Sequence, residues 1–316
     1  MLMDFKHISV LLEESVESLN IKPDGVYVDC TAGGGGHSAA ILAHIGEQGR
    51  MILIDRDPDA ISVVTKRFEG DKRVTIVHNN YCNFSQILSS LNIEKVDGIV
   101  ADLGVSSHQL DTAERGFSFH QDALLDMRMS QEGKSAADVV NTYSKNELAT
   151  VIFRYGEEKF ADRVANAIVK ARENKRIETT LELAEIVSSA IPAKFRRNGH
   201  PARKTFQAIR IEVNGELDAL KNTLPEMFER LNAEGVLSVI TFHSLEDKIV
   251  KDYFRTLKQG CTCPKDFPVC VCGKKPRAVV KSAGIKASGK ELDENNRSRS
   301  AKLRTAMKID EIQEER

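Results

Sequence analysis

The 316-residue sequence contains no apolar run that approaches membrane-spanning length, so no membrane partner is expected. Its amino terminus, Met1-Leu-Met-Asp-Phe-Lys-His7, lacks the pattern of a signal peptide. The expectation is a soluble, cytoplasmic chain. Charge of one sign is not in excess: 45 Lys and Arg stand against 46 Asp and Glu, a formal net charge of −1. Bulk charge therefore does not announce a nucleic-acid binder, although a neutral total leaves room for a local basic face. No internal repeat is evident. Cysteine is sparse outside one segment: Cys30 and Cys82 stand alone, and the other four crowd between Cys261 and Cys272. Without a secretion signal, scattered disulfides are not expected. The length suits one large domain or two modest ones, and an apolar fraction of 41% supports a real core.

What is present concentrates first in Val26-Tyr-Val-Asp-Cys-Thr-Ala-Gly-Gly-Gly-Gly-His37. A short apolar strand delivers Asp29, four glycines follow, and an amphipathic helix runs from near Ser38 to Ile45. Glycines permit positive φ and let a ligand approach the main chain closely. The helix amino end adds unpaired N–H groups and a positive dipole. Nineteen residues past Gly36, a second apolar strand, Met51-Ile-Leu-Ile54, ends at Asp55. An acid at that distance is placed to accept hydrogen bonds from ribose hydroxyls. The pattern points to a nucleoside-containing cofactor. Read as G-x-G-x-x-A (Gly34, Gly36, Ala39), it serves a nicotinamide enzyme and a methyltransferase equally.

Strands are expected at Val26–Asp29, Met51–Asp55, Val74–His78 and Val96–Asp102, with helices opening near Ser38, Pro58 and Asn83. That alternation predicts a parallel sheet with right-handed crossovers. Gly235 to Phe242 adds a later buried strand. Between Asp111 and Arg210 helical signals dominate. Ser144-Lys-Asn-Glu147 and Thr179-Thr-Leu-Glu182 each fit a capping box. Val164, Ile168 and Ala171 keep one apolar face, and Pro192 ends the helix begun at Leu181. Phe206, Ile209, Val213, Leu217 and Leu220 recur at helical spacing and predict one long helix through Gly215. Ala278-Val-Val280 and Ala301-Lys-Leu303 are expected as antiparallel edge strands. The chain thus divides into residues 1–110, 111–210 and 211–316, an α/β domain in two parts around a helical insertion.

Four further segments carry chemistry. The strand ending at Asp102 runs into a small-residue loop with Gly104, Ser106 and Ser107. Ligands of open α/β sheets sit beyond the strand carboxyl ends, so Asp102 would face the crevice of Gly35 and Asp55. Alternatively it caps the following turn. Thr241-Phe-His-Ser-Leu-Glu-Asp247 follows the late strand, and His243 reads as structural. Ala193 to Lys204 holds Lys194, Arg196, Arg197, Arg203 and Lys204 with His200 and no acid. Such a run is either a solvated face or a set of phosphate contacts. Arg115, Arg128, Arg210, Arg297 and Arg299 would extend a basic surface. Finally, Cys261-Thr-Cys263 and Cys270-Val-Cys272 bring four thiols together as zinc sites do, but C-x-C departs from the usual C-x-x-C knuckle. Zinc and a reduced thiol loop both stay open, and no metal ligand is assigned.

Together these segments resemble the bacterial 16S rRNA cytosine-N(4) methyltransferases, the RsmH or MraW family. The match includes His7-Ile-Ser-Val-Leu-Leu-Glu-Glu, Asp29-Cys-Thr-Ala-Gly-Gly-Gly-Gly-His-Ser, Asp102-Leu-Gly-Val-Ser-Ser, Arg115-Gly-Phe-Ser-Phe and Leu125-Asp-Met-Arg-Met. It continues through Gly199-His-Pro-Ala-Arg-Lys-Thr-Phe-Gln-Ala-Ile-Arg-Ile-Glu-Val-Asn214, Thr241-Phe-His-Ser-Leu-Glu-Asp and Asn296-Arg-Ser-Arg-Ser-Ala-Lys-Leu-Arg304. The resemblance implies a class I, Rossmann-like α/β methyltransferase sheet with an inserted helical domain that recognises RNA. It implies S-adenosylmethionine as methyl donor. The implied acceptor is the N(4) amine of a cytidine in the decoding centre, at the P site, of 16S rRNA within the small ribosomal subunit. Cofactor contacts carry over to Gly35, Gly36, His37, Asp55, Asp102 and Gln109, with an aromatic contact at Tyr81, where relatives often have Phe. His108 departs from a common proline. Asp102 is the expected catalytic residue, organising the amine or the cofactor. An aromatic from Phe117, Phe119 or Phe242 would stack on a flipped base. A homodimer is left open. Two rival readings remain at this point. An NAD-dependent oxidoreductase would need a second cofactor-half site, which the sequence does not display. A non-enzymatic RNA-binding ribosome assembly factor would explain the basic segment but not the glycine-and-acid pocket.

Overall fold

The computed structural model describes residues 9–310 apart from 197, 198, 262, 265, 266, 270 and 282. The chain forms two compact units, Met1–Gly104 with Leu217–Arg316, and Val105–Glu216. Among the described residues, the first unit holds a seven-stranded sheet: β1 (Val26–Asp29), β2 (Arg50–Asp55), β3 (Val74–His78), β4 (Val96–Asp102), β5 (Leu231–Thr241), β6 (Ala278–Val280) and β7 (Lys302–Lys308). Their order is β3-β2-β1-β4-β5-β7-β6. The first five are parallel, and β7 runs antiparallel to both its neighbours. This is the expected Rossmann-like, doubly wound α/β sheet, with the strand order reversing at β1 and β4.

The strands read as unbroken apolar runs because the sheet is covered on both faces. In β2, Ile52 and Ile54 join one core with Val28, Phe84, Ile99, Phe228, Leu237 and Phe254. Met51 and Leu53 join the opposite core with Tyr27, Ile41, Leu42, Val64 and Val100. The covering helices start where local chemistry allows. The helix Pro58–Arg67 is capped by Asp57, whose carboxylate accepts from the Asp59 N–H at 3.0 Å, with proline in the first turn.

Two expectations are corrected here. The final strand is not at an edge: Lys302–Lys308 lies between β5 and β6, paired with β5 from Val236↔Met307 to Thr241↔Lys302. The free edge of β5 needs a partner long enough to take its backbone groups, and the three-residue β6 is too short. Lys302 and Arg304 also reach Asp247, at 3.0 and 2.6 Å, tying β7 to the helix Ser244–Lys258. The long helix through Gly215 is two helices, Arg203–Asn214 and Glu216–Glu229. Gly215 sits at φ +60° and caps the first of them, which is the helix-ending role glycine performs without a Cβ penalty.

The second unit is helical, with Ala136–Thr142, Lys145–Gly156, Ala161–Asn174, Thr180–Ala190 and Arg203–Asn214 around one core. Both expected capping boxes form, at Ser144 with Glu147 and at Thr179 with Glu182. Val105 and Val213 pack against this core, and Arg210 makes a two-pronged ion pair with Glu216 at 2.9 and 3.0 Å. The unit therefore runs from Val105 to Glu216, wider than the 111–210 span read from the sequence. No described helix is long and apolar enough to cross a membrane.

Leu237 is fully buried in β5, whereas Val279 on β6 is half-exposed. Leu237→Ala should lose about 2–5 kcal/mol of unfolding free energy in urea. Val279→Ala should stay within about 0.5 kcal/mol of the parent. Equal losses would overturn the placement of β5 inside the sheet.

Candidate active site

The parallel register stacks acids at the carboxyl ends of adjacent strands. Asp29 ends β1 opposite Leu53 of β2 and Val100 of β4. Asp55 and Asp102 each stand two residues further along, so their side chains have the same facing parity as Asp29. Asp29 is buried and accepts from Ser38 Oγ at 2.6 Å and from the Thr31 N–H at 3.1 Å. Asp55 accepts from the Gly33 N–H at 2.8 Å and from the Asp57 N–H at 2.8 Å. The Asp102 N–H donates to Thr31 Oγ1 at 2.7 Å, and Asp102 Oδ1 is buried without a hydrogen-bond partner.

Burial pushes all three carboxyls up. Asp29 is raised to about 6 by desolvation, against the hydrogen bonds from Ser38 and Thr31. Asp55 is raised to about 6 by desolvation and by the neighbouring Asp57 and Asp29 charges. Asp102 is raised well above the usual carboxylate range by desolvation, Asp29 and Glu246. The charged groups that shift Asp55 and Asp102 are all acids. A cation entering this region would meet no positive charge among those groups.

The glycines build the adjoining cradle. Gly33 and Gly35 take φ +50° and +75°, which side chains rarely adopt. A Cβ on Gly36 would lie 1.8 Å from Ser9 Oγ, whereas one on Gly34 would meet nothing within 4 Å. Gly36 thus serves close chain packing, and Gly34 faces open space. His37, second in the helix Gly36–Leu42, is buried with Nε2 3.1 Å from the Val10 carbonyl, so its ring anchors the preceding chain. Tyr81 opens a short turn after β3, capped by Asn80, and rests partly buried on the core around Phe84.

His243 is a helix cap, as its sequence context implied. Its Nδ1 accepts the Glu246 N–H at 3.4 Å, while Glu246 accepts from the N–H groups of Phe242 and His243 at 2.8 and 3.3 Å. This bonding leaves the imidazole proton on Nε2, which lies 3.1 Å from Glu246 Oε1 but out of line for a hydrogen bond. The pair closes the β5 end of the acid row.

In the helical unit, Gln109 is buried in a capping box: its Oε1 accepts the Ser106 N–H at 2.9 Å, and Ser106 Oγ accepts the Gln109 N–H at 3.2 Å. Lys194 and Arg203 are exposed. Arg196 Nε donates to the Ile191 carbonyl at 2.8 Å, and Lys204 Nζ to the Glu157 carbonyl at 2.9 Å. Arg197 lies outside the described residues. His200 stacks on Phe119, with ring centres 4.5 Å apart and planes 16° apart. Burial and His120 hold its pKa below the usual histidine range, so at neutral pH it offers a flat face and no charge. Three arginines leave the basic surface expected of them. Arg115 is buried, donating to the carbonyls of Arg128 and Met129 at 3.0 Å each. Arg128 pairs with Asp126 and Arg210 with Glu216. Phe117 is buried beside Arg115, and Phe242 packs on the core of Val10, Leu11 and Ile240.

Sequence reading passed over three groups. Asp29 was visible in the glycine motif without a role, and its bond to Ser38 is a nine-residue relation that only the strand-to-helix turn creates. Asp57 carried a signal, an acid directly before a helix-starting proline. Glu246 stands three residues after His243, the capping-box spacing.

Comparison with known proteins identifies the family. The sequence profile described as the MraW methylase family matches residues 4–309. A protein of Clostridium botulinum (strain Kyoto / Type A2) named ribosomal RNA small subunit methyltransferase H is 56% identical over 309 residues, 97% of this chain and 100% of its own. One of the same name from Lachnospira eligens is 55% identical over 312 residues, 98% of this chain and 99% of its own. Among solved structures, an rRNA methylase from Streptococcus thermophilus covers 96% of this chain and 99% of its own, with 9% identity and a TM-score of 0.44. With a profile that spans nearly every residue and full-length relatives above half identity, the chain belongs to the MraW methylase family.

Proposed function

We propose that this chain transfers a methyl group from S-adenosylmethionine to the N(4) amine of a cytidine at the P site of 16S rRNA, within the small ribosomal subunit in the cytoplasm. Family membership supports rRNA methylation, and the site's chemistry supports the donor. When bound, S-adenosylmethionine supplies a methyl group activated by a cationic sulfonium.

The residues present fit that molecule. Asp55 already has its carboxylate oriented by two backbone N–H groups, with further lone pairs for ribose hydroxyls. The positive-φ glycines and the open space over Gly34 leave room against the main chain. The acid row formed by Asp29, Asp55 and Asp102 favours a cation. Tyr81 offers a ring face, while Gly35, Gly36 and His37 offer main chain. Gln109 is assigned to the cofactor by its place in the family motif.

The observation that carries the mechanism is the buried, unpartnered Oδ1 of Asp102. A cytosine amine is a poor nucleophile because its lone pair is delocalised into the ring. Methyl transfer to that nitrogen would bring positive charge onto it, and the proton it then loses would pass to the Asp102 carboxylate or to solvent. Asp102 accepts a hydrogen bond from the amine, localises the lone pair and stabilises the arriving charge. Substrate rRNA is held by phosphate contacts from Lys194, Arg196, Arg203 and Lys204, to which the sequence adds Arg197. The flat face of His200 on Phe119 suits a base more than a phosphate.

Two measurements test this reading. Asp102→Ala should lower the rate of methyl transfer to small-subunit particles by at least about 100-fold, the usual scale for a lost acid–base group. Its affinity for S-adenosylhomocysteine, read by calorimetry, should change less than the rate. Unchanged turnover would remove Asp102 from the chemistry. Ribose hydroxyls favour the ionised form of Asp55, whose value is about 6. Affinity for S-adenosylhomocysteine should therefore fall as pH drops below 6, approaching about tenfold per pH unit. Asp55→Asn should flatten that slope, and a slope that persists in the variant would show that another group titrates.

A further inference from the structure

Among its described residues, the segment between the helix Ser244–Lys258 and β6 has no helix or strand. Phe267, Val269 and Val271 are exposed along it. Its ends are pinned: the Arg277 N–H donates to the Leu257 carbonyl at 2.8 Å, and a Cβ on Gly260 would lie 2.8 Å from Pro276. Inside that closed loop, Cys261, Cys263 and Cys272 bring their Sγ atoms within 4.8 Å of one another.

We propose that Cys261, Cys263 and Cys272 bind a structural zinc ion that fastens this loop. Sulfurs held about 2.3 Å from a tetrahedral zinc lie about 3.8 Å from each other. Cys261 and Cys272 are 3.7 Å apart, the edge of such a tetrahedron and well short of the contact needed for an S–S bond. The Cys263 N–H points to Cys261 Sγ at 3.4 Å, the outer-shell donor that a metal-bound thiolate accepts. The donor set is all sulfur, which selects a soft ion such as zinc over magnesium or calcium. Binding converts each thiol to thiolate, with its proton released to solvent. Lys274 and Lys275 follow Cys272 after one glycine in the sequence and offset the charge that remains. Cys270 lies outside the described residues. By sequence it stands two before Cys272, as Cys261 stands two before Cys263, and it is the fourth thiol of the segment. An exposed loop is the place where a metal contributes most to order.

The test uses the full-length, tag-free chain. Metal analysis after purification without chelator should find about one zinc per chain. Replacement by cobalt should give the sulfur-to-cobalt charge-transfer absorption and strong visible bands of a tetrahedral thiolate site. Loss of an outer-shell partner costs 10–100-fold in metal affinity, so Cys261→Ser and Cys272→Ser should each weaken zinc at least about 100-fold. Both variants should keep the parent's circular dichroism and its affinity for S-adenosylhomocysteine, which separates loss of metal from loss of fold. Failure of those two controls would itself overturn the proposal of a local loop clasp. So would a metal-free parent whose reduced form gives no cobalt charge-transfer band, iron in place of zinc, a Cys261–Cys272 disulfide, or serine variants that hold zinc as tightly as the parent. None of these outcomes bears on the methyl-transfer reading, whose residues lie elsewhere.

Discussion

The placement of carboxylates at the ends of buried parallel strands is the constraint on which the rest of the sheet unit depends. A strand covered on both faces has apolar side chains throughout, so its polar groups collect where it leaves the sheet. Asp29, Asp55 and Asp102 are those groups, brought side by side by register alone. The carboxyls of Asp29 and Asp55 each take one hydrogen bond from the turn after β1, and the same turn holds the Asp102 backbone while its Oδ1 stays without a partner. Thr31 donates to Asp29 and accepts from Asp102, while Gly33 donates to Asp55. One short turn, residues 30–35, therefore sets the geometry of three strand ends. Its glycines are there because the main chain must present N–H groups to the neighbouring strand end. The space left over Gly34 follows from the same requirement.

Much of this was legible in the amino-acid order because it rests on local chemistry. The strands β1, β2 and β4 are short apolar runs ended by acids. The boxes at Ser144 and Thr179 are four-residue patterns that close on themselves. The illegible parts depend on partners distant in sequence. Nothing in Lys302–Lys308 states that it will pair with β5 instead of lying at the rim; the unmet backbone groups of β5 decide that. Arg210 reads as a surface cation until Glu216 is brought onto it by the Gly215 turn. His200 reads as one more phosphate contact until Phe119 stacks on its ring and His120 meets it edge-on. Periodicity carried the helix reading across Gly215 because the apolar spacing continues on both sides, while a single positive φ redirects the axis. In each case the local signal was true and the pairing reversed its meaning.

The glycine-and-acid pattern alone left a nicotinamide enzyme and a methyltransferase on equal footing. Membership of a methylase family resolves that choice. The electrostatics agree. A row of buried acids with acids as their charged neighbours is a poor host for the anionic pyrophosphate of a dinucleotide. It is a good host for a sulfonium.

The same row sets a tension between the fold and its use. Asp29 and Asp55 titrate near 6 in the fold, against 3.8 for an ordinary aspartate. Between those values the unfolded chain has released protons that the folded chain retains. The stability that comes from neutral carboxyls is thus complete below about pH 4 and is lost as pH rises through 6. At neutral pH the folded site holds negative charge with little solvent to screen it. On the proposed reading, the ligand that enters carries the missing positive charge and hydroxyl donors. Ligand binding then relieves a penalty that the empty fold bears, and part of the affinity comes from that relief in addition to new contacts. A neutral product leaves the penalty less well compensated than the cationic donor does, so the acids that hold the donor also favour release once the methyl group has gone.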